Sequence, residues 1–141
     1  MERGMNMIEN TKKLNVEITG KQMIIVTEDM TAKAMGSGEL PVLATPKMIA
    51  LMENTAYQSV QPFLETGQGT VGTLMNVKHM AATPVGMEVT IETRLIEIDR
   101  RKLVFEVKAF DKADCIGEGI HERFIIQNEK FLAKAESKKS L

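Results

Sequence analysis

Apolar and polar residues alternate along much of the chain, which predicts a protein rich in β-strands. The alternation begins in residues 14–26, where a break at Gly20 predicts a strand that is interrupted or bulged. After residue 69 a period of two continues to about residue 127, and turn-like sequences divide it into four antiparallel strands that form a meander. We expect these strands at about residues 70–79, 87–98, 102–112 and 114–127.

Two helices are predicted between the first strand and the other four. Residues 27–36 have the composition of a short helix with Thr27 as its N-cap and Gly36 at its end. A long helix begins at Thr45 and Pro46, because threonine is a good N-cap and proline is tolerated at the first helical position. Apolar residues cover a broad side of this helix. The sequence therefore predicts an α+β domain in which a sheet of about five strands curls around the helix.

The composition fits one soluble globular domain over residues 1–141, with a solvated, frayed tail at residues 133–141. The chain has 18 Lys and Arg against 19 Asp and Glu. A net charge of -1 produces no overall positive potential, which argues against general binding to nucleic acid or to a membrane surface. No apolar run approaches the roughly 20 residues of a membrane span, and Met1–Asn10 lacks the features of a secretory signal. Cys115 is the only cysteine, so we expect a cytoplasmic protein without an intrachain disulfide.

Residues 67–72 spell the dinucleotide-binding pattern G-x-G-x-x-G in the wrong context. The pattern binds a pyrophosphate where a strand precedes it and a helix follows, whereas here a helix precedes and a strand follows. Helix termination and strand entry explain the glycines, although Gly72 lies inside a strand, where a glycine indicates a close approach of the backbone to another group. His79 and His121 are 42 positions apart and only one cysteine is present, so no metal site is expected.

Three polar residues in apolar settings are candidates for chemistry, and each has a structural alternative. His79 points inward on a regular strand, either as a hydrogen-bonded core residue or as a catalyst. It shares its face with Val71, Thr73, Met75 and Val77. Glu53 lies at the margin of the helix's apolar arc, where partial burial suits a general base unless the side chain simply reaches water. Thr45 is either an N-cap or part of a reactive centre at the start of the helix.

Arg123 is a fourth candidate. It lies on the same alternating side of its strand as Gly117 and Gly119. Glycines on that side permit tight packing of the backbone, and the guanidinium there is aimed at a ligand or is paired with a carboxylate. The second arrangement would make Arg123 a structural residue.

Four segments follow one another in a characteristic order. They are Pro41–Thr45, Met48–Glu53, Val77–Met87 and Ile116–Gly119. This set resembles the hot-dog-fold thioesterases of the fluoroacetyl-CoA thioesterase type, and the similarity runs from about Val26 to Phe131. Its most specific parts are the sequence V-K-H-x-A-x-T-P-V-G around His79 and the spacing of eight residues from Thr45 to Glu53.

The resemblance implies a curved antiparallel sheet wrapped around one long helix, and a homodimer, or a higher homo-oligomer, with acyl-CoA at the subunit interface. Thr45, Glu53 and His79 match the family's catalytic residues, while Gly72 and Arg123 match positions implicated in substrate binding. The implied reaction is hydrolysis of acyl-CoA to a carboxylate and free CoA, with no cofactor beyond the CoA of the substrate. Eight residues along a helix span about 12 Å, so we expect the dimer, or a water and the histidine, to bring Thr45 and Glu53 to one carbonyl carbon.

One departure from the family concerns the acyl group. The fluoroacetate-specific member carries an aromatic residue shortly before its threonine, whereas Glu39 and Leu40 occupy that region here. We therefore expect a short- or medium-chain acyl group rather than fluoroacetyl. Two alternatives keep the same fold: a non-catalytic dimeric module that binds acyl-CoA or another small ligand, and a hydratase or dehydratase, whose usual Asp and His pair is not evident.

Overall fold

A computed structural model describes residues 13–141. Met1–Asn10, the segment in which no secretory signal is expected, lies outside the described residues. The strands are β1 (Thr19–Ile25), β2 (Gln68–His79), β3 (Glu88–Asp99), β4 (Lys102–Phe110) and β5 (Cys115–Gln127). The α-helices are α1 (Ala32–Met35), α2 (Thr45–Val60) and α3 (Asn128–Glu136). Single 3-10 turns occupy Glu28–Met30, Gln61–Phe63 and Ser137–Ser140.

The five strands form one antiparallel sheet in the order β1-β3-β4-β5-β2. The positions predicted for the four later strands are confirmed to within about two residues, whereas the first strand is shorter than predicted and the predicted four-stranded meander is wrong. Only β3, β4 and β5 follow one another, while β2 lies beyond β5 at the edge. The linker of residues 80–87 permits this, because eight extended residues reach about 26 Å whereas three strand spacings measure about 14 Å.

The long helix α2 packs its apolar side against the inner face of this sheet, as predicted. Its buried residues are Met48, Leu51, Met52, Thr55, Ala56 and Val60. On the sheet side the fully buried residues include Val89, Ile91, Leu95, Phe105 and Val107. The pairing register shifts at an extra residue in each of β2, β3 and β5, and such bulges increase the bend and twist of a sheet. The sheet therefore curves around the helix.

The predicted bulge at Gly20 is wrong. Pairing between β1 and β3 runs without a shift, and the strand begins only at Thr19. Before it, Glu17 turns the chain with a φ of 80°. A Cβ on Gly20 would lie 2.9 Å from the carbonyl oxygen of Thr55 and 2.7 Å from Oγ1 of Thr93. The glycine is thus explained by the close approach of α2 to the edge strand.

The helix boundaries differ from prediction at the caps. Thr27 makes no capping hydrogen bond, and Thr31 caps α1 instead by accepting from the amide of Ala34 at 3.1 Å. Gly36 ends α1 in the left-handed region with a φ of 74°, as predicted. Thr45 is the first residue of α2 and not its cap, a position taken by Ala44. The hydroxyl of Thr45 is therefore free for another partner.

The C-terminal segment also differs from prediction. Residues 133–141 were expected to be solvated and frayed. They are exposed, but α3 and a 3-10 turn give them regular structure almost to the end. Alanine, lysine, glutamate and leucine dominate residues 129–136, and these residue types favour a helix even where little of it is packed.

Candidate active site

Thr45 and His79 form a direct pair at one end of the inner face of the sheet. Helix α2 supplies Thr45 from its first turn, and β2 supplies His79 from its last residue. Oγ1 of Thr45 and Nδ1 of His79 are 2.7 Å apart, a hydrogen-bond distance. Burial lowers the pKa of His79, and the backbone of Ala81 opposes that shift. The imidazole is therefore neutral near pH 7 and able to accept a proton.

The other ring nitrogen of His79 has no partner within residues 13–141. Its Nε2 is buried and makes no hydrogen bond there. A buried polar atom without a hydrogen-bond partner costs free energy. The unpaired Nε2 of His79 therefore indicates that this atom forms a hydrogen bond in another state of the protein or in a complex.

An open groove of about 380 Å³ lies beside the pair. Thr45 and His79 form part of its wall, and several of the other wall residues are small. The lining residues are Ala32, Ser37, Val42, Leu43, Thr45, Pro46, His79, Met80, Ala81 and Ala82. The groove therefore offers a largely apolar space next to a hydroxyl and a neutral imidazole.

Glu53, Gly72, His121 and Arg123 form a second group, here named the Arg123 cluster. A Cβ on Gly72 would lie 2.9 Å from Oε2 of Glu53, 3.3 Å from Cε1 of His121 and 3.4 Å from Nη1 of Arg123. The predicted close approach at Gly72 is thus confirmed, and the carboxylate of Glu53 is what approaches. Glu53 is half-buried, whereas Arg123 is only 7% exposed.

A bulge in β2 decides which residues join these groups. Pairing shifts between Gly72 and Leu74, so Thr73 is the extra residue. Cross-strand partners point to the same side of a sheet, and Gly72 pairs with Arg123 while Met75 pairs with His121. The prediction that Met75 and Val77 share the face of His79 is confirmed, and the prediction for Val71 is wrong because Val71 pairs with Phe124 on the opposite face.

His121 was missed as a site residue in the sequence. It is 1% exposed and contacts both β2 and Arg123, and its ring stacks on Phe105 with centroids 6.0 Å apart. The signal available in the sequence was its position on the same alternating side of β5 as Gly117, Gly119 and Arg123.

One chain does not bring its two groups together. Glu53 follows Thr45 by eight residues along α2, about 12 Å, and Gly72 precedes His79 by seven residues along β2, roughly 20 Å. The Thr45–His79 pair and the Arg123 cluster therefore lie well apart along the same two elements. Within a single copy they cannot surround one reacting atom.

The outer edge of β2 has no strand partner among the described residues. This strand is the last of the sheet and is 12 residues long. Gly72, Thr73 and Leu74 are exposed on it, and the Leu74 side chain is 44% exposed. A long edge with free N–H and C=O groups is a template for pairing with another chain.

Residues 13–141 contain no group of three or more His, Cys, Asp and Glu side chains arranged to hold a metal ion. No helix in that part of the chain is long and apolar enough to cross a membrane. Cys115 is a free, half-buried thiol.

Comparison with known proteins gives a consistent set of relatives. Residues 26–129 match the family described as fluoroacetyl-CoA-specific thioesterase. The fluoroacetyl-CoA thioesterase of Streptantibioticus cattleyicolor is 44% identical over 97 residues, which cover 69% of this chain and 70% of that protein.

Solved structures agree with this. A fluoroacetyl-CoA thioesterase structure matches with a TM-score of 0.84 and 37% identity over 89% of this chain and 97% of that chain. A mutant of a fluoroacetyl-CoA thioesterase in complex with acetyl-CoA matches with a TM-score of 0.84 and 36% identity, covering 89% and 98%. A thioesterase superfamily member from Thermus thermophilus is 27% identical with a TM-score of 0.83, covering 89% and 93%.

Proposed function

Because the chain belongs to the fluoroacetyl-CoA-specific thioesterase family and is an acyl-CoA thioester hydrolase, we propose that Thr45, Glu53 and His79 carry out its reaction. We propose Gly72 and Arg123 as its substrate-binding residues. The observation that carries the proposal is the 2.7 Å contact between the Thr45 hydroxyl and Nδ1 of His79. A hydroxyl is a weak nucleophile until an adjacent base accepts its proton, and His79 is such a base.

The proposed reaction begins with proton transfer to Nδ1 of His79 from Thr45, or from a water that Thr45 orients. The oxygen attacks the thioester carbonyl carbon, and amides at the start of α2 hold the negative charge of the tetrahedral intermediate. Collapse of that intermediate breaks the C–S bond, and His79 returns the proton to the CoA sulfur. If Thr45 itself attacks, water then hydrolyses the acyl ester by the same proton transfers.

We propose that a second copy of the chain completes the site. When Nδ1 of His79 accepts a proton, Nε2 carries the other hydrogen, and this buried N–H has no partner within the described part of one chain. A carboxylate that accepts from Nε2 would orient the ring and stabilise the imidazolium, the role of the acid in a catalytic triad. Glu53 of the second copy has the right chemistry for that role.

The free edge of β2 supports the geometry of such a homodimer. Two identical edge strands that pair antiparallel around a twofold axis place the start of one strand beside the end of the other. An axis near Met75 and Asn76 would set His79 of one copy opposite Gly72 of the other. The Thr45–His79 pair of one chain would then face the Arg123 cluster of its partner, which joins the groups that one chain separates.

The groove beside the Thr45–His79 pair supports a short- or medium-chain acyl group as the substrate. Its small, apolar wall residues leave about 380 Å³ open, and Leu40, in the region where the fluoroacetate-specific member has an aromatic residue, is 66% exposed. Release of CoA from acetyl-, butyryl-, hexanoyl- and fluoroacetyl-CoA tests this proposal. We expect kcat/KM to be highest for butyryl or hexanoyl. A clear preference for fluoroacetyl would contradict the assignment of this groove.

Complementation between inactive variants tests the shared site. Thr45→Ala and Glu53→Gln are each expected to be inactive as homodimers. Co-expressed with different tags, they form mixed dimers in which one of the two sites has an intact Thr45–His79 pair and an intact Glu53. Random pairing makes half of the dimers mixed, so about a quarter of all sites become active.

The matched control pairs Thr45→Ala with His79→Ala. Both residues belong to the same half of the site, so no mixed dimer restores both, and no activity is expected to return. Equal recovery in the two mixtures would exclude a site divided in this way. A monomer that hydrolyses acyl-CoA at full rate would exclude the dimer as well.

We propose further that the reaction needs no cofactor beyond the CoA of the substrate and that the protein works in the cytoplasm. Proton transfer and oxygen attack as described require only the chain's own groups and water. The free thiol of Cys115 suits a reducing compartment. Activity that survives dialysis against EDTA is the expected result, and loss of activity restored by a divalent cation would contradict it.

A further inference from the structure

Arg123 is a buried cation whose orientation depends on neutral groups. The guanidinium of this arginine is buried, since the residue is only 7% exposed. Among residues 13–141 no carboxylate oxygen lies within 4.0 Å of a guanidinium nitrogen of Arg123. Its Nε donates to Oγ1 of Thr70 at 2.7 Å, and Nη2 donates to the carbonyl oxygen of Thr70 at 3.0 Å. The ring of Tyr57 lies 5.9 Å from the guanidinium carbon. These contacts leave the third nitrogen, Nη1, to be fixed by another group.

That group is His121. Nη1 of Arg123 lies 3.2 Å from Nε2 of His121. An arginine N–H only donates, so Nε2 must accept and carries no hydrogen. On the other side of the ring Nδ1 lies 2.9 Å from the carbonyl oxygen of Leu74, which only accepts, so Nδ1 carries the hydrogen. The partners therefore assign one neutral tautomer to His121.

The surroundings of His121 hold that state. Its ring stacks on Phe105 at an interplanar angle of 28°, which limits rotation. Burial lowers the pKa of His121, and the charge of Arg123 lowers it further, while the carbonyl of Leu74 and the carboxylates of Glu53 and Glu122 act in the opposite direction. An imidazolium would point an N–H at the N–H groups of Arg123, so protonation and the observed contact exclude each other.

We propose that His121 is a positioning residue that holds Nη1 of Arg123 toward the Glu53 carboxylate across Gly72. Three contacts use three of the five N–H donors of the guanidinium. The remaining donors are then available to an oxygen of the substrate. This inference rests on the proposed function, in which Arg123 contacts the acyl-CoA, and it gives a role to a residue that does not itself touch substrate.

Two isosteric substitutions separate positioning from structure. In His121→Asn the side-chain amide can still donate to Leu74, because its nitrogen occupies the place of Nδ1, but no acceptor reaches Arg123. In His121→Gln the longer side chain brings an amide oxygen to the place of Nε2, so Arg123 keeps its acceptor. Both variants lose the stacked ring and one hydrogen bond, so we expect similar drops in melting temperature.

Positioning predicts that kcat/KM for the best acyl-CoA is at least about tenfold lower in His121→Asn than in His121→Gln. In an Arg123→Ala background the two substitutions should no longer differ. Equal activities of the two variants, with Arg123→Ala itself strongly impaired, would overturn the positioning role alone. An Arg123→Ala enzyme of normal activity would instead overturn the proposed substrate contact on which the role rests.

A measurement on the unmodified protein does not depend on how the variants fold. The ¹⁵N chemical shifts of the His121 ring distinguish a protonated Nδ1 from a protonated Nε2. We expect the Nδ1–H tautomer near pH 7. A protonated Nε2 would overturn the proposal, since the ring could not accept from Arg123.

Discussion

Replacement of Gly72 by alanine should reduce activity without unfolding the protein. The added Cβ would lie 2.9 Å from Oε2 of Glu53, whereas ordinary contacts begin at 3.4 Å. Oε2 is the end of a flexible side chain, so the carboxylate can move by about 0.5 Å to restore contact distance, while Cε1 of His121 at 3.3 Å and Nη1 of Arg123 at 3.4 Å are already at or within about 0.1 Å of ordinary contact. Gly72 does not have a positive φ, and alanine adopts its backbone without strain.

The structure therefore predicts a small effect on stability and a larger one on rate. A misplacement of about 1 Å can cost about a hundredfold in rate, so a shift of half that size suggests about a tenfold loss of kcat/KM, or about 1.4 kcal/mol. The free energy of unfolding should change by less than about 1 kcal/mol, because no backbone atom is displaced and alanine restricts the unfolded chain. Thiol release from acyl-CoA and urea unfolding measure the two quantities.

Gly20→Ala is the matched control. Its Cβ would meet Oγ1 of Thr93 at 2.7 Å and the carbonyl oxygen of Thr55 at 2.9 Å, a backbone atom that cannot swing aside, and it lies on β1, which carries none of the site residues. We expect a loss of about 1–3 kcal/mol in stability and normal kcat/KM at a temperature where the protein is folded. If Gly72→Ala kept kcat/KM within twofold of the parent, or lost more stability than Gly20→Ala, Glu53 would not be held against Gly72 as described.

Three further predictions concern stability and chemistry. Burial lowers the pKa of both His79 and His121 below 6.5, so the unfolded state binds more protons than the folded state as pH falls through that value. The free energy of unfolding should therefore decrease by up to about 1.4 kcal/mol per pH unit for each histidine that titrates. Urea titrations from about pH 7.5 to 5.5 should show this decrease, with a shallower slope in His121→Gln. Gly119→Ala would drive a Cβ into the carbonyl oxygen of Asn76 and should lower the free energy of unfolding, measured with urea, by more than about 3 kcal/mol, since it separates two paired backbones. A loss below about 1 kcal/mol would contradict the close pairing. Thr45→Val keeps the shape but removes the hydroxyl, and we expect kcat to fall about 10²–10⁴-fold with the melting temperature nearly unchanged, whereas Thr45→Ser should retain measurable activity.

Much of the fold follows from local patterns in the sequence. Alternation of apolar and polar residues predicted all four later strands to within about two residues, because a strand half-buried against a helix must alternate. Pro46 and the broad apolar side of residues 48–60 predicted α2 and the face that it buries. The sequence also indicated five candidate site residues, because polar residues and glycines are unusual in apolar runs and because the order of these residues resembles a known family. The five residues are Thr45, Glu53, Gly72, His79 and Arg123.

The errors share one physical cause. Gly20 was assigned to a bulge because a glycine in a strand has several explanations, and the correct one, contact with the carbonyl of Thr55, depends on a helix distant in sequence. Val71 was assigned to the wrong face because the bulge at Thr73 shifts the alternation by one residue, and such a shift arises from pairing with β5. The sequence left Thr45 as either the cap of α2 or part of a reactive centre, because its contact with His79 joins residues 34 positions apart.

The sequence by itself determined which segments become strands and helices and which side of each is apolar, since these depend on neighbouring residues. Tertiary structure alone decided that β2 lies at the edge beside β5, that Thr45 meets His79, that Glu53 approaches Gly72, and that His121 fixes Arg123. Those contacts depend on pairing register and on packing between distant elements. A local pattern specifies that a face is buried but not what is buried against it.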